Sequence, residues 1–147
     1  MPTYSTPADV NDGFRHLVGI LEYSSAHTAA VCKLAVQSAN LRPGDNILDI
    51  GTGHGEVLAL TKPSIGSGMC VGVDAVNGFL QTDAPFRLQR SQLHVAPCGT
   101  AETQVHLLLA SATHANLPNF IRSRLQRPGI LFNAIFAIQI LHTIPPD

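Results

Sequence analysis

Ile47-Leu48-Asp49-Ile50-Gly51-Thr52-Gly53-His54-Gly55 is the stretch on which the reading of this chain turns. A short apolar run, 46–50, reads as a strand and enters a loop with glycine at alternate positions. Glu56-Val57-Leu58-Ala59-Leu60 follows as a helix that should break at Pro63. Such a loop lets backbone approach a ligand where a Cβ would obstruct it. The N–H groups at the helix start favour ligand acceptors.

Ser64-Ile65-Gly66-Ser67-Gly68 is turn chemistry, and 69–73 is a second apolar strand closing on Asp74. Strand, glycine loop, helix, turn and strand make a βαβ unit, which requires a right-handed crossover and parallel strands. Asp74 lies nineteen residues after Gly55, where an acid can accept bonds from both hydroxyls of a ribose. Further along, 79–93 reads as a helix interrupted by Pro85, and 97–103 as loop. A third strand spans 105–110, Leu117-Pro118 opens a loop, and 119–126 is helical. A fourth strand covers 132–140, apolar on both faces as in a buried parallel strand. Upstream, Phe14, Leu17, Val18 and Leu21 recur at helical spacing. A second helix runs from about Ser24 or Ser25 to Asn40, ahead of the turn Arg42-Pro43-Gly44-Asp45. The chain divides into an N-terminal helical segment, 1–40, and an α/β domain, 41–147, with a parallel sheet of about four strands and flanking helices.

The ligand class follows from the acid before the glycines. A dinucleotide loop has the spacing G-x-G-x-x-G, whereas here position 56 is Glu and the third glycine comes one residue early. A carboxylate at Asp49 would repel a pyrophosphate and suits a ligand with a positive charge and no phosphate. S-adenosylmethionine carries an ammonium and a sulfonium and fits that description. An NAD-linked oxidoreductase is the alternative that both features disfavour.

The segment Ile47 to Gly55 resembles the first motif of the class I, Rossmann-like S-adenosylmethionine-dependent methyltransferases. Asp74 in Val71-Gly72-Val73-Asp74 is similar to that family's ribose-binding acid. Leu109-Ala110-Ser111-Ala112-Thr113 through Leu117-Pro118 resembles the third motif. Phe132-Asn133-Ala134-Ile135 through Leu141-His142-Thr143-Ile144-Pro145 resembles the fourth-strand motif. The resemblance implies cofactor contacts from Asp49, Gly51, Thr52, Gly53 and Gly55 on the methionine side, and from Asp74 and Ala75 at the ribose. It implies Ser111, Ala112 and Thr113 at the adenine, and Ala137 and Ile138 beside methionine and substrate. It also implies that His142, just past strand four, touches the methyl acceptor.

The implied activity is methyl transfer from S-adenosylmethionine to a small molecule, of the kind found in specialised-metabolite biosynthesis. Two positions depart from the pattern: the third motif lacks its Asp, and Asn133 stands where the family has Asp. The family's later strands have no counterpart in this sequence. Strand four is then an open edge suited to a second copy of the chain, and a non-catalytic, truncated remnant or interaction module is the rival reading.

Composition bounds these readings. Of 147 residues, 45% are hydrophobic and 13% charged, the latter about half the usual share, so part of the surface is suited to being covered. Net charge is −1, and the arginines are scattered singly, which excludes the basic stripe of a nucleic-acid binder. Cys32, Cys70 and Cys98 form no CxxC pair, and the histidines lack ligand spacing, so no metal site is indicated. Met1-Pro2-Thr3-Tyr4-Ser5-Thr6-Pro7 has neither the basic nor the apolar part of a signal peptide, and no apolar run is long enough for a bilayer. The reading is a cytoplasmic, soluble protein without membrane contact.

Overall fold

The computed structural model describes residues 28–97 and 105–138. Helix α1 is described over 28–38 and ends at Asn40, which adopts a left-handed φ of 53°. The turn behind it is closed by the Arg42 N–H donating to Asp45 Oδ2 at 2.8 Å. The helix expected over 11–21 and the loop expected after Pro97 fall mostly or wholly outside the described residues.

The sheet has four parallel strands: β1 (Ile47–Ile50), β2 (Cys70–Asp74), β3 (Val105–Leu109) and β4 (Ala134–Phe136). Their spatial order is β3-β2-β1-β4. Order reverses between β1 and β4, and in such α/β sheets ligands bind outside the carboxyl ends of the strands at that reversal. Register sets Asp49 beside Gly72 and Phe136, and Gly72 beside Leu107. Because side chains alternate, these residues share one face with Ile47, Cys70, Val105 and Ala134.

That face is covered by α1, by α2 (Glu56–Ile65) and by α3 (Ala84–Arg90), through Cys32, Val57, Leu58 and Leu88. The opposite face carries Leu48, Val71, Val73 and Leu108. It is covered by α4 (Leu117–Leu125) through Leu117, Ile121 and Leu125, with Met69 and Ile130. The α/β expectation therefore holds. Among the described residues, no helix is long and apolar enough to cross a membrane.

Several boundaries differ from the sequence reading, each for a physical reason. Helix α2 runs through Pro63 and stops at Gly66. Pro63 lies one turn from the C-terminus, where it removes only the helical partner of the Ala59 carbonyl. Pro85 does not interrupt its helix either. A five-residue π-turn (Phe79–Asp83) precedes α3, and the Ala84 N–H donates to the Phe79 carbonyl. That wider turn shifts the hydrogen-bond register, so Pro85 falls in the first turn of α3, where its missing N–H does no harm. Leu117-Pro118 likewise starts α4 rather than a loop, with proline in the first turn.

Strand β4 is shorter than its apolar run suggested, and it is not buried on both faces. Phe136 is buried with Cys32 and Val57 under the helices of one face, whereas Ile135, pointing to the other, is 60% exposed. Residues 139–140 of the expected strand lie outside the described residues.

Candidate functional site

The loop between β1 and α2 is built on backbone that side chains disfavour. Gly51, Gly53 and Gly55 have φ of 73°, 49° and 78°, values open to glycine at no steric cost. The three positions do different work. A Cβ on Gly53 would meet nothing within 4 Å, so open space lies beside it. A Cβ on Gly55 would touch Ala84 Cβ at 3.4 Å. Gly55 thus also serves the approach of α2 to α3.

The loop's N–H groups are also less available than expected. Gly51 and Thr52 both donate to the Val73 carbonyl, at 2.8 and 3.0 Å, and Gly55 donates to the Thr52 carbonyl at 2.8 Å. Gly53 donates to Asp74 Oδ2 at 2.8 Å. Four donors that would cradle a phosphate are used inside the protein.

Asp74 ends β2 and is buried, 8% exposed. Its other oxygen, Oδ1, accepts from the Val76 N–H at 2.8 Å. Burial raises its pKa, while the N–H groups of Val76, Gly53 and Ala75 and the nearby His54 pull it down. The acid braces the glycine loop, yet each carboxylate oxygen keeps a further lone pair for a ligand hydroxyl.

Asp49 is buried more deeply, 2% exposed. Burial pushes its carboxyl up to about 7. The Thr52 hydroxyl opposes that shift, and the Asp74 carboxylate reinforces it. No cation acts on it among the described residues. Thr52 Oγ1 is itself buried and completes no hydrogen bond. Carboxyl and hydroxyl share a niche over Gly72, the register neighbour of Asp49. A Cβ on Gly72 would fall 2.9 Å from Thr52 Oγ1 and 2.7 Å from Leu58 Cδ1. Gly72 is thus a site residue that sequence reasoning passed over; a lone glycine inside an apolar strand was its only signal.

The remaining predicted residues form a looser ring. Ala110 N–H donates to the Asp74 carbonyl at 3.0 Å, which brings the segment 111–113 alongside the end of β2. There Ser111 Oγ and Thr113 Oγ1 bond each other at 2.8 Å, and Thr113 N–H donates to Ser111 Oγ. Ala112 is exposed and Ala75 half-buried. Past β4, Ala137 is exposed, while Ile138 packs on the core under α1 and α2. His142 lies outside the described residues.

At the mouth of the loop, His54 Nδ1 stands 4.0 Å from Asp83 Oδ2, and its ring sits edge-on to Phe79 at 4.9 Å. Glu56 and Arg87 form a two-bond ion pair, at 3.0 and 3.2 Å, that ties the start of α2 to α3.

At the amino ends of the strands an amide clasp fixes β4 against β1. Asn46 N–H donates to Asn133 Oδ1 at 2.8 Å, Asn133 N–H returns a bond to the Asn46 carbonyl, and Asn46 Oδ1 accepts from Met69 N–H. The Asn133 side-chain oxygen thus helps set a strand register. Among the described residues, no group of three or more His, Cys, Asp or Glu could hold a metal. No protein-family model matches this chain, and no curated protein matches it.

Proposed function

We propose that this chain binds S-adenosylmethionine outside the carboxyl ends of β1 and β2 and transfers its methyl group to a small-molecule acceptor. The observation that carries the reading is the niche over Gly72, where a buried carboxyl lies within reach of a buried hydroxyl that completes no hydrogen bond, with no cation to answer them among the described residues. A loop whose N–H groups at 51, 52, 53 and 55 are already used suits a ligand without phosphate. Two neighbouring carboxylates suit one with positive charge. Both points count against a dinucleotide.

In this reading Asp49 faces the ligand's ammonium and Asp74 takes ribose hydroxyls on its remaining lone pairs. Ser111 and Thr113 meet the adenine edge, and Ala137 and Ile138 wall the methionine side. The bound cofactor supplies a methyl group already activated by its sulfonium. The chain's residues contribute alignment and exclusion of water, effects that can carry much of such a rate. His142 is assigned to the acceptor side.

The edge of β4, unpaired among the described residues and with Ile135 exposed, is assigned to contact with a second copy. Titration with S-adenosylhomocysteine tests the cofactor reading. Saturable binding is expected, weakened at least about tenfold in Asp74→Ala, the loss of one or two charge-assisted bonds. Equal affinity in both proteins removes the ribose assignment. Tighter binding of NAD moves the site to the dinucleotide class.

A further inference from the structure

Resting on the cofactor reading, we propose that seating the cationic ligand beside Asp49 drives a proton out of the protein, so that cofactor affinity is set by pH through this one carboxyl. The geometry requires a change of state at Asp49. Phe136 flanks it in β4 and bare Gly72 in β2, and the Thr52 hydroxyl shares its niche without a bond of its own. An ionised carboxylate in such a place, with no cation and no N–H donor beside it among the described residues, is strongly disfavoured. Asp74 next door differs, because two backbone N–H groups bond its oxygens.

The titratable groups around Asp49 do not supply the missing charge. Asp74 raises its pKa further. Cys32 on α1 and Cys70 on β2 are each pushed up to about 11 by burial and stay neutral. Glu56, at the start of α2, is paired with Arg87 of α3. His54 acts on Asp74, and β4 brings only Ala134, Ile135 and Phe136. The free protein therefore holds Asp49 mostly protonated below neutrality. An ammonium arriving from a ligand is the counter-charge that ionises it.

Calorimetry with S-adenosylhomocysteine, in buffers of different ionisation enthalpy, reads this directly. At pH 6.5 binding is expected to release most of one proton. Affinity should rise about fivefold between pH 6 and pH 7, as for a group leaving a pKa of about 7. Asp49→Asn should still bind, more weakly, and lose both the rise in affinity between pH 6 and pH 7 and the proton release.

Tight binding by the native protein with no buffer dependence and a flat profile from pH 6 to 7 overturns the inference and leaves the cofactor reading standing. Proton release that survives in Asp49→Asn also overturns it, by moving the titration to another group such as Asp74. Absence of binding at every pH overturns both readings. Should Asp49→Asn fail to fold, the native profile decides the matter alone.

Discussion

The two faces of the sheet are covered unequally and carry different kinds of side chain. The face under α1, α2 and α3 holds Asp49, Gly72 and Asp74 among its apolar residues. The face under α4 is apolar where it is covered, apart from His106, which lies buried beside Val71, and it leaves Ile135 exposed. A protein built for stability alone would reverse this, since a buried carboxyl opposes folding and an apolar side chain left in water forgoes about 1.5–3 kcal/mol. In the proposed function the polar niche on the better-covered face takes the ligand, and exposed Ile135 marks the strip that meets a second copy.

Substitutions on the two faces should therefore differ in size and in sign. The largest effect belongs to Gly72→Val. Its side chain would push into Leu58 and Thr52 and should destabilise by about 3 kcal/mol, the upper range for overpacking, read as a lower midpoint in urea. A change under 1 kcal/mol would mean the niche is looser than the distances state.

Next, and opposite in sign, Asp49→Asn should stabilise the unliganded protein at pH 8. A carboxyl whose folded pKa is raised contributes its full stability below the unfolded value of about 4 and loses it as pH rises through about 7. Above pH 7 the native protein carries a penalty of a few kcal/mol that Asn removes, less the amide's own desolvation. A net gain of about 1–2 kcal/mol is expected, and it should vanish at pH 4. Loss of stability at pH 8 would contradict the assigned burial.

The smallest effect belongs to the bare strip. Ile135→Lys should change stability by less than about 0.5 kcal/mol while shifting the sedimentation profile toward monomer. An unfolded variant would show that the strip is covered within the chain.

Much of the frame was legible in the sequence because parallel, buried strands read as unbroken apolar runs between turn residues. Strands β1 and β2, the glycine loop and β3 fall where those runs stand. Less legible were features whose meaning depends on partners far along the chain. Pro63 and Pro85 signal helix breaks locally, but the end of α2 tolerates one and the π-turn at Phe79–Asp83 absorbs the other.

The length of β4 was overread for a related reason: an apolar run tells what is suited to burial, not whether a covering element exists. Asn46 and Asn133 are separated by 87 positions, so no local pattern announces their clasp. The glycine triplet announced a close approach without saying to what. Gly53 borders open space, while Gly55 borders a helix. Nor did Asp49 reveal its burial, which depends on Phe136, eighty-seven positions further along, and on Gly72 beside it.

In the proposed function, ligand binding belongs to the carboxyl ends of β1 and β2. An amide-resolved nuclear magnetic resonance titration with S-adenosylhomocysteine tests it most directly. Saturating shifts are predicted at Gly51 to Gly55, Asp74 to Val76 and Ala110 to Thr113, with the clasp at Asn46 and Asn133 silent. Shifts confined to Leu131–Ile135, or no saturating response in the glycine loop, would contradict it.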